Sequence, residues 1–310
     1  MLKHARAFSP GGISSFFEIC DRTPDGKPIS NPEQVGARGG GFSPDLGVST
    51  EVILAEAEEN HIQVLINGKN CPEAETTKYV VEALTAKVPE IYAVTVVHCV
   101  EVPIGAGFGS SAAGALGTAL ALSKVLGLNL TSNELGKIAH VAEVKCKTGL
   151  GTVGPLLFGG CGLTLEPGAP GIARLDRIPV YPYHRLIVGT FRSYPTKEVL
   201  ASDEKRDIIN KCGQKTLRRI LTDSSLENFM AASKAFALET GFATSRVQKL
   251  MKLSENAGAV GAAQNMLGEA VHALVTVDTL DAVYDAFRKV LPEDKIIISN
   301  IDFQGARIIE

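Results

Sequence analysis

The segment Pro103–Ala113 has the sequence Pro-Ile-Gly-Ala-Gly-Phe-Gly-Ser-Ser-Ala-Ala, in which three glycines alternate with other residues before a run of small side chains. It follows Tyr92–Val102, whose β-branched residues predict a strand, and it leads into Ser110–Leu126, whose small and aliphatic residues predict a helix. A glycine turn that opens a helix brings several backbone N–H groups to one point, at the positive end of the helix dipole. The segment therefore indicates an anion-binding helix start, with a tight strand–helix connection as the alternative.

The residue types within this turn favour a phosphate as the anion. Gly105, Gly107 and Gly109 have no side chains that would block the approach of a phosphate to the backbone. Ser110 and Ser111 then offer amides and hydroxyls, of which one hydroxyl suits a phosphate oxygen and the other suits Mg²⁺. The turn thus has the groups that a phosphate and its magnesium ion require.

Two other glycine-rich phosphate loops fit the sequence less well. Gly107–Ala112 approximates the G-x-G-x-x-A of dinucleotide-binding proteins, but that motif needs an acidic residue about 20 positions later to hold the ribose. Val125–Leu130 contains no acidic residue, and the next one, Glu134, belongs with Thr131 to a capping box that opens another helix. The G-x-x-x-x-G-K-[ST] sequence of a Walker A loop is absent from the chain. Dinucleotide binding is therefore the weaker interpretation.

Composition excludes several classes of function. The 310 residues suffice for two lobes around a cleft, and 31 basic against 34 acidic side chains give a net charge of −3 without a basic stripe. We therefore expect neither a nucleic-acid partner nor a membrane surface as partner. The chain lacks an apolar leader and any run of about 18 apolar residues, which predicts a cytoplasmic protein. Its six cysteines lack metal-site spacing and are expected to be thiols.

The order of the predicted elements indicates an α+β protein in two lobes. The first hundred residues consist mostly of predicted strands and turns, and Gly36–Gly41 is predicted to be a loop because of its glycines. The Pro/Gly-rich segment Glu166–Gly171 suggests that the first domain is nearly complete there, so we expect domains at 1–180 and 181–310. In the second domain, three predicted helices over 203–256 precede a strand, a helix and a strand.

Three segments along the chain resemble the motifs of the GHMP kinase superfamily, which includes galactokinase and homoserine, mevalonate and phosphomevalonate kinases. Pro103–Ala113 closely resembles its ATP motif, and Ser9–Glu18 is similar to its N-terminal substrate motif. Glu255–Glu269 is similar to a variant of its C-terminal glycine motif. The resemblance implies an α+β fold with a ribosomal-S5-like, ATP-binding N-terminal lobe and a ferredoxin-like C-terminal lobe.

Within that superfamily, the chain most resembles the archaeal pantoate kinases. The matching segments are Pro10–Phe17, Gly36–Gly41 and Gly107–Leu116. This likeness implies ATP and Mg²⁺ as cofactors, and transfer of phosphate to the primary hydroxyl of a small branched hydroxy acid, pantoate first, for coenzyme A biosynthesis. Two alternatives stay open: a mevalonate-type acceptor such as mevalonate 3-phosphate, phosphorylated at its 5-hydroxyl, and a non-catalytic ligand-binding member. Homodimers are common among such relatives, so a homodimer is one expected state.

The resemblance also implies which residues form the site. Ser111 and Glu143 are expected to be the catalytic pair that holds Mg²⁺, although spacing alone would favour an ion pair between Glu143 and Lys147. The ATP-binding set is Pro103, Gly105, Ala106, Gly107, Phe108, Gly109, Ser110, Ser111 and Ala112. The acceptor-binding set is Ser14, Ser15, Glu18, Arg38, His140 and Thr152. We further expect the second lobe to cover the cleft with Arg192, Thr196 and Lys197.

Arg38 and His140 are the acceptor-side residues whose types suggest a role directly. Arg38 lies among glycines and can reach a carboxylate through two parallel hydrogen bonds, or it can be a solvated loop arginine. His140 lies three residues before Glu143 and therefore shares a helix face with it. It can hydrogen-bond the acceptor or serve a structural role.

Two positions depart from the family pattern. Thr152 stands where many members place an aspartate, and a threonine cannot act as a carboxylate base. Gly12 stands where relatives carry lysine or histidine. Both positions are expected on the acceptor side of the cleft, so they bear on the acceptor and not on the nucleotide. Transfer would then proceed through positioning and metal alone, or another group would take the proton.

Overall fold

The computed structural model describes residues 3–193 and 203–310. The strands of these residues are β1 Lys3–Pro10, β2 Ile13–Cys20, β3 Gly36–Phe42, β4 Gly47–Glu56, β5 His61–Ile66, β6 Lys69–Asn70, β7 Tyr92–Val100, β8 Cys161–Glu166, β9 Arg174–Ile178, β10 His184–Ser193, β11 Gly261–Gln264, β12 Gly268–Thr276, β13 Ile296–Ser299 and β14 Arg307–Ile308. The helices are α1 Glu75–Thr85, α2 Ser110–Leu126, α3 Ser132–Cys146, α4 Val153–Leu156, α5 Asp203–Thr222, α6 Leu226–Glu239, α7 Ser245–Asn256 and α8 Leu280–Arg288. In this part of the chain, no helix has both the length and the apolarity needed to cross a membrane.

The largest sheet has the order β14-β1-β4-β7-β5-β6, and helices α1 and α2 pack against it. Strand β4 shows why this sheet forms, because its buried residues alternate with half-buried ones at the period of a strand. Helix α2 consists mostly of alanine, glycine and leucine, which lets its backbone approach the sheet closely. A Cβ at Gly117 would lie 2.5 Å from Thr50 Oγ1, so a larger residue there would separate helix and sheet.

A second sheet, of order β2-β3-β8-β9, is antiparallel throughout and corrects one expectation. Gly36–Gly41, predicted to be a loop, forms most of strand β3. Its glycines are required by close neighbours, since a Cβ at Gly36 would lie 2.5 Å from Gly168 N and one at Gly41 would overlap the carbonyl oxygen of Ile13. The prediction failed because the strand has no β-branched residues.

The remaining strands form a four-stranded antiparallel sheet of order β11-β12-β10-β13. Helices α5 to α7 connect β10 to β11, and α8 connects β12 to β13. A strand–helix–strand–strand–helix–strand sequence with this pairing is the ferredoxin-like arrangement. The structure therefore confirms the expected α+β fold. The C-terminal lobe has two more helices between its first two strands, β10 and β11, than this arrangement requires.

The two halves share a core, and the last strand of the chain joins the sheet of the first half. Phe16 on β2 and Phe42 on β3 contact Phe229 on α6, with edge-to-face ring centroids 6.0 and 5.3 Å apart. The chain then returns to the first half, where β14 pairs with β1. The division into domains at 1–180 and 181–310 stays a prediction. The pairing of β14 with β1 joins the two sides of that boundary.

Candidate active site

The glycine turn has a conformation that only glycine adopts readily. Gly105, Gly107 and Gly109 have φ angles of 77°, 79° and 58°, all in the left-handed region. Gly109 is the N-cap of α2 and has no side chain to satisfy the first-turn amides. The first helical hydrogen bond of α2 is donated by the N–H of Ala113 to Gly109 O over 3.0 Å. The N–H groups of residues 110–112 come before it and therefore have no acceptor within the helix. These amides can therefore bind an anion.

The turn is held between the N-terminal and C-terminal motifs. The N–H of Gly12 donates to Phe108 O over 2.8 Å, and a Cβ at Gly107 would lie 2.8 Å from Met266 O. Ala106 and Phe108 are buried in the core, so their side chains anchor the turn, and any contact with a nucleotide would come from their backbone. Pro103 is half-buried and Gly105 is exposed. The three sequence motifs thus meet at one point.

Ser111 and Glu143 lie close together in the wall of a cleft that Ser14, Arg38, Thr148 and Thr152 also line. Glu143 is 3 % exposed and accepts a hydrogen bond from the Thr148 hydroxyl over 2.7 Å, and the Ser111 hydroxyl lies near enough to lower the pKa of its carboxyl. Among the ion pairs of the described residues, none joins Glu143 to Lys147. The structure therefore brings the predicted pair together and excludes the ion-pair alternative.

The surroundings of Glu143 suit a divalent cation. Burial raises the pKa of the Glu143 carboxyl, while the hydroxyls of Thr148 and Ser111 lower it, and none of these groups is positively charged. A buried carboxylate without a cationic partner gains most from a bound metal ion. No group of three or more His, Cys, Asp or Glu side chains in the described ranges could hold a metal by itself. Mg²⁺ commonly needs only one or two protein ligands beside substrate phosphates, so Ser111 and Glu143 fit it.

On the acceptor side, Arg38 is held in place by Glu18, which the sequence analysis placed in the acceptor-binding set without predicting this pairing. Its Nε and Nη2 atoms donate to the two carboxylate oxygens of Glu18 over 2.7 Å each. Gln214, on α5, also donates to Glu18 Oε1 over 2.8 Å. The Arg38 side chain is 33 % exposed, and a guanidinium that uses one edge in this way retains N–H donors on the other. Nothing local to Gln214 in the sequence signals this contact.

Ser15 and His140 do not line the cleft, unlike Ser14, Arg38 and Thr152. Ser15 Oγ is buried 2.9 Å from His272 Nε2, and His272 Nδ1 lies 2.8 Å from an Asn265 side-chain oxygen. The His140 ring is buried, with Nε2 2.9 Å from the backbone oxygen of Val35. Their contact with an acceptor stays a prediction.

The expected cover of the cleft from the second lobe is only partly within the structure. Arg192 lies at the end of β10, opposite Glu269 on β12. Thr196 and Lys197 lie outside the described residues.

The two departures from the family pattern touch each other. A Cβ at Gly12 would lie 2.7 Å from Thr152 Cγ2 and 3.1 Å from Leu156 Cδ2. A Cβ at Gly109 would also lie 2.7 Å from the same methyl group. The Thr152 methyl therefore fills the space between the N-terminal motif and the glycine turn, and residue 12 has room only for glycine while that methyl is present.

This contact makes positions 12 and 152 energetically coupled. Gly12→Ala should lower the free energy of unfolding by about 1–3 kcal/mol, because the new methyl overpacks against Thr152. In a Thr152→Ser background, which lacks Cγ2, the same substitution should cost about half as much or less. Urea denaturation of the wild type, of each single variant and of the double variant measures this double-mutant cycle. Equal costs of Gly12→Ala in both backgrounds would show that the contact does not set residue 12.

Comparison with known proteins agrees with this architecture. Residues 75–160 match the family model of the GHMP kinases N-terminal domain. The pantoate kinase of Thermococcus kodakarensis is 35% identical over 275 residues, which are 87% of this chain and 87% of that protein. The pantoate kinase of Methanocaldococcus jannaschii is 30% identical and covers 88% of this chain and 94% of its own. A solved structure described as a phosphotransferase related to the CoA biosynthesis pathway has a TM-score of 0.88 and 29% identity, covering 99% of this chain and 98% of its own.

The chain therefore belongs to the GHMP kinases, in the family that contains the pantoate kinases. Mevalonate kinases are similar over a smaller part: that of Pyrococcus furiosus is 28% identical over 61% of this chain and 62% of its own length. The family expected from the glycine turn and its accompanying motifs is thus confirmed.

Proposed function

We propose that this protein transfers the γ-phosphate of ATP to the primary hydroxyl of pantoate and forms 4-phosphopantoate. The observation that carries the proposal is the Ser111–Glu143 pair beside the free amides of the glycine turn, in a chain that is similar to pantoate kinases over most of its length. The related structure named for the coenzyme A pathway supports the same biosynthetic role. A cytoplasmic location and a homodimer stay predictions, which cell fractionation and light scattering test.

On the nucleotide side, the chain supplies backbone donors and a metal pair. The N–H groups at the start of α2 bind phosphate oxygens, and the helix dipole adds to the attraction. Ser111 and Glu143 would hold Mg²⁺, which neutralises charge on the phosphates when bound. The left-handed glycines keep side chains away from the path of the phosphates.

On the acceptor side, Arg38 is the group best placed to bind a carboxylate. One edge of its guanidinium is occupied by Glu18, so its orientation is set before the substrate arrives. The other edge retains the donors that a hydroxy acid's carboxylate would accept from. Ser14, which also lines the cleft, offers a hydroxyl for a second polar contact.

The cleft has few side chains that could remove the proton from the acceptor hydroxyl. Of the described residues that line it, only Arg38 and Glu143 have ionisable side chains, and Glu143 is assigned to the metal. Thr152 presents a methyl group toward Gly12 where an aspartate would offer a base. We infer that the hydroxyl is aligned without a carboxylate base and that its proton passes to an oxygen of the transferred phosphoryl group, as a loose transition state permits.

An acceptor panel tests the proposed reaction. With Mg-ATP, ADP formation should require pantoate and should be slower by at least about tenfold in kcat/KM with mevalonate or mevalonate 3-phosphate. Turnover with mevalonate derivatives alone would assign the chain to the mevalonate-type alternative. Measurable Mg-ATP binding without turnover on any acceptor would indicate a non-catalytic member of the family.

A further inference from the structure

A buried hydroxyl on α1 connects this helix to the carboxylate of the site. Helix α1 begins after Ala74, which provides no side-chain cap. Thr76, in its first turn, is 7 % exposed and has its Oγ1 atom 3.0 Å from Thr148 Oγ1. Thr148 Oγ1 in turn lies 2.7 Å from Glu143 Oε1. Two hydroxyl groups, 72 residues apart in the sequence, therefore stand in line behind the carboxylate.

The proton positions in this line follow from the chemistry of its members. An ionised carboxylate only accepts hydrogen bonds, so Thr148 donates its single hydroxyl proton to Glu143. Thr148 then has no proton left for Thr76, and Thr76 must be the donor in the bond between the two hydroxyls. The hydrogen bonds thus run in one direction, from Thr76 through Thr148 to Glu143.

The carboxylate is also confined from its other side. A Cβ at Gly149 would overlap Glu143 Oε2, so the backbone of the loop after α3 packs directly against that oxygen. One oxygen of Glu143 is held by a hydroxyl and the other by backbone contact. Rotation of the carboxylate about its Cγ–Cδ bond would break the hydrogen bond from Thr148 and would be opposed by the Gly149 backbone.

We propose that Thr76 and Thr148 are positioning residues, which hold Glu143 in the orientation that binds the divalent metal ion. The inference rests on the proposed function through the metal role of Glu143. Partners of metal ligands in this arrangement commonly change metal affinity by about 10- to 100-fold when they are removed. Thr76 does not line the cleft, so it acts on the metal only through Thr148.

The next residue of the same helix provides a matched control. Thr77 is 6 % exposed, and its Oγ1 lies 3.0 Å from His98 Nε2 on the side of the large sheet. It resembles Thr76 in burial and in having a hydroxyl partner, but its hydrogen bond leads into the core. Loss of the Thr77 hydroxyl should therefore affect stability without affecting the metal.

The test measures metal binding directly, with Mn²⁺ as the probe and the ATP analogue AMPPCP present, by electron paramagnetic resonance of free Mn²⁺. Thr76→Val should weaken Mn²⁺ binding about tenfold, and Thr148→Val should weaken it by at least as much. Thr76→Ser, which keeps the hydroxyl, should restore the affinity to within about twofold of the wild type. Thr77→Val should lower the melting temperature but leave the Mn²⁺ affinity within about twofold.

Other outcomes would overturn the inference. If Thr76→Val and Thr148→Val both bind Mn²⁺ as the wild type does, the hydroxyls of Thr76 and Thr148 do not position Glu143. The same conclusion follows if Thr77→Val weakens Mn²⁺ binding as much as Thr76→Val does. Unchanged Mn²⁺ affinity in Glu143→Gln would instead contradict the metal role on which the inference depends. Failure of the wild type to phosphorylate pantoate, with the Mn²⁺ results as expected, would remove the proposed acceptor and leave the positioning role supported.

Discussion

Glu143→Gln should lower kcat by at least about a thousandfold while making the folded protein harder to unfold. Activity falls because the amide keeps the shape of the side chain but loses the charge that would hold Mg²⁺ beside Ser111. A loss of this size corresponds to about 4 kcal/mol of transition-state stabilisation, which is within the range that one bound metal supplies. Initial rates at saturating Mg-ATP and pantoate measure it.

The gain in stability has the same origin. Glu143 is buried, and the raised pKa of its carboxyl means that the folded state disfavours the ionised form. A neutral amide removes that cost at pH 7, so the free energy of unfolding should rise even as activity disappears. Glu134→Gln on the same helix is the matched control, since Glu134 is exposed and serves only the capping box with Thr131. Near-normal activity in Glu143→Gln would exclude a metal-binding role for this carboxylate.

Acidification from pH 7 to pH 5 should destabilise the protein strongly, through two buried histidines. Burial lowers the pKa of His98 to about 4 and that of His272 to about 3, below the usual value of about 6.5 that applies in the unfolded chain. Below pH 6.5 the unfolded state therefore binds more protons than the folded state, and stability is lost as the pH falls toward the folded values. Two such groups together give a slope of about 2 kcal/mol per pH unit between about pH 6 and pH 5.

Urea unfolding at several pH values measures this slope, and a variant isolates one histidine. The raised pKa of Glu143 acts in the opposite direction, so the comparison between two proteins is more informative than the absolute slope. His98→Asn should be less stable at pH 7, because Thr50 and Thr77 lose their ring partner, but its stability should fall less steeply with acidification. The expected difference in slope is about 1 kcal/mol per pH unit. Equal slopes in both proteins would mean that His98 is not neutral in the folded state.

Local features of the fold were predicted well from the sequence. Helix α2 begins at Ser110 and ends at Leu126, as its small and aliphatic residues indicate, and the capping box of Thr131 and Glu134 is present. The left-handed conformations of Gly105, Gly107 and Gly109 match the expected glycine turn. All of these features depend on atoms within a few residues of one another, or on the preference of one residue for its backbone angles.

Strand β3 and the partners of the site residues were not predicted. The glycines of β3 have low strand propensity, and they are present because Ile13 and Gly168 approach the backbone there. Arg38 was expected to bind a substrate carboxylate through two parallel hydrogen bonds or to be a solvated loop arginine, and its pairing with Glu18 was not predicted. Gln214 reaches Glu18 from 196 residues away in the sequence.

By itself, therefore, the sequence of Pro103–Ala113 and its companion motifs indicated the family and the anion-binding helix start. Through the family resemblance it also indicated Ser111 and Glu143 as the candidate metal pair. Only the tertiary structure decided that Thr152 packs against Gly12, and that Thr76 and Thr148 stand behind Glu143. The physical reason is that a motif encodes the conformation and chemistry of adjacent residues. The contacts that orient them join distant segments, and packing of the whole chain determines which of those atoms meet.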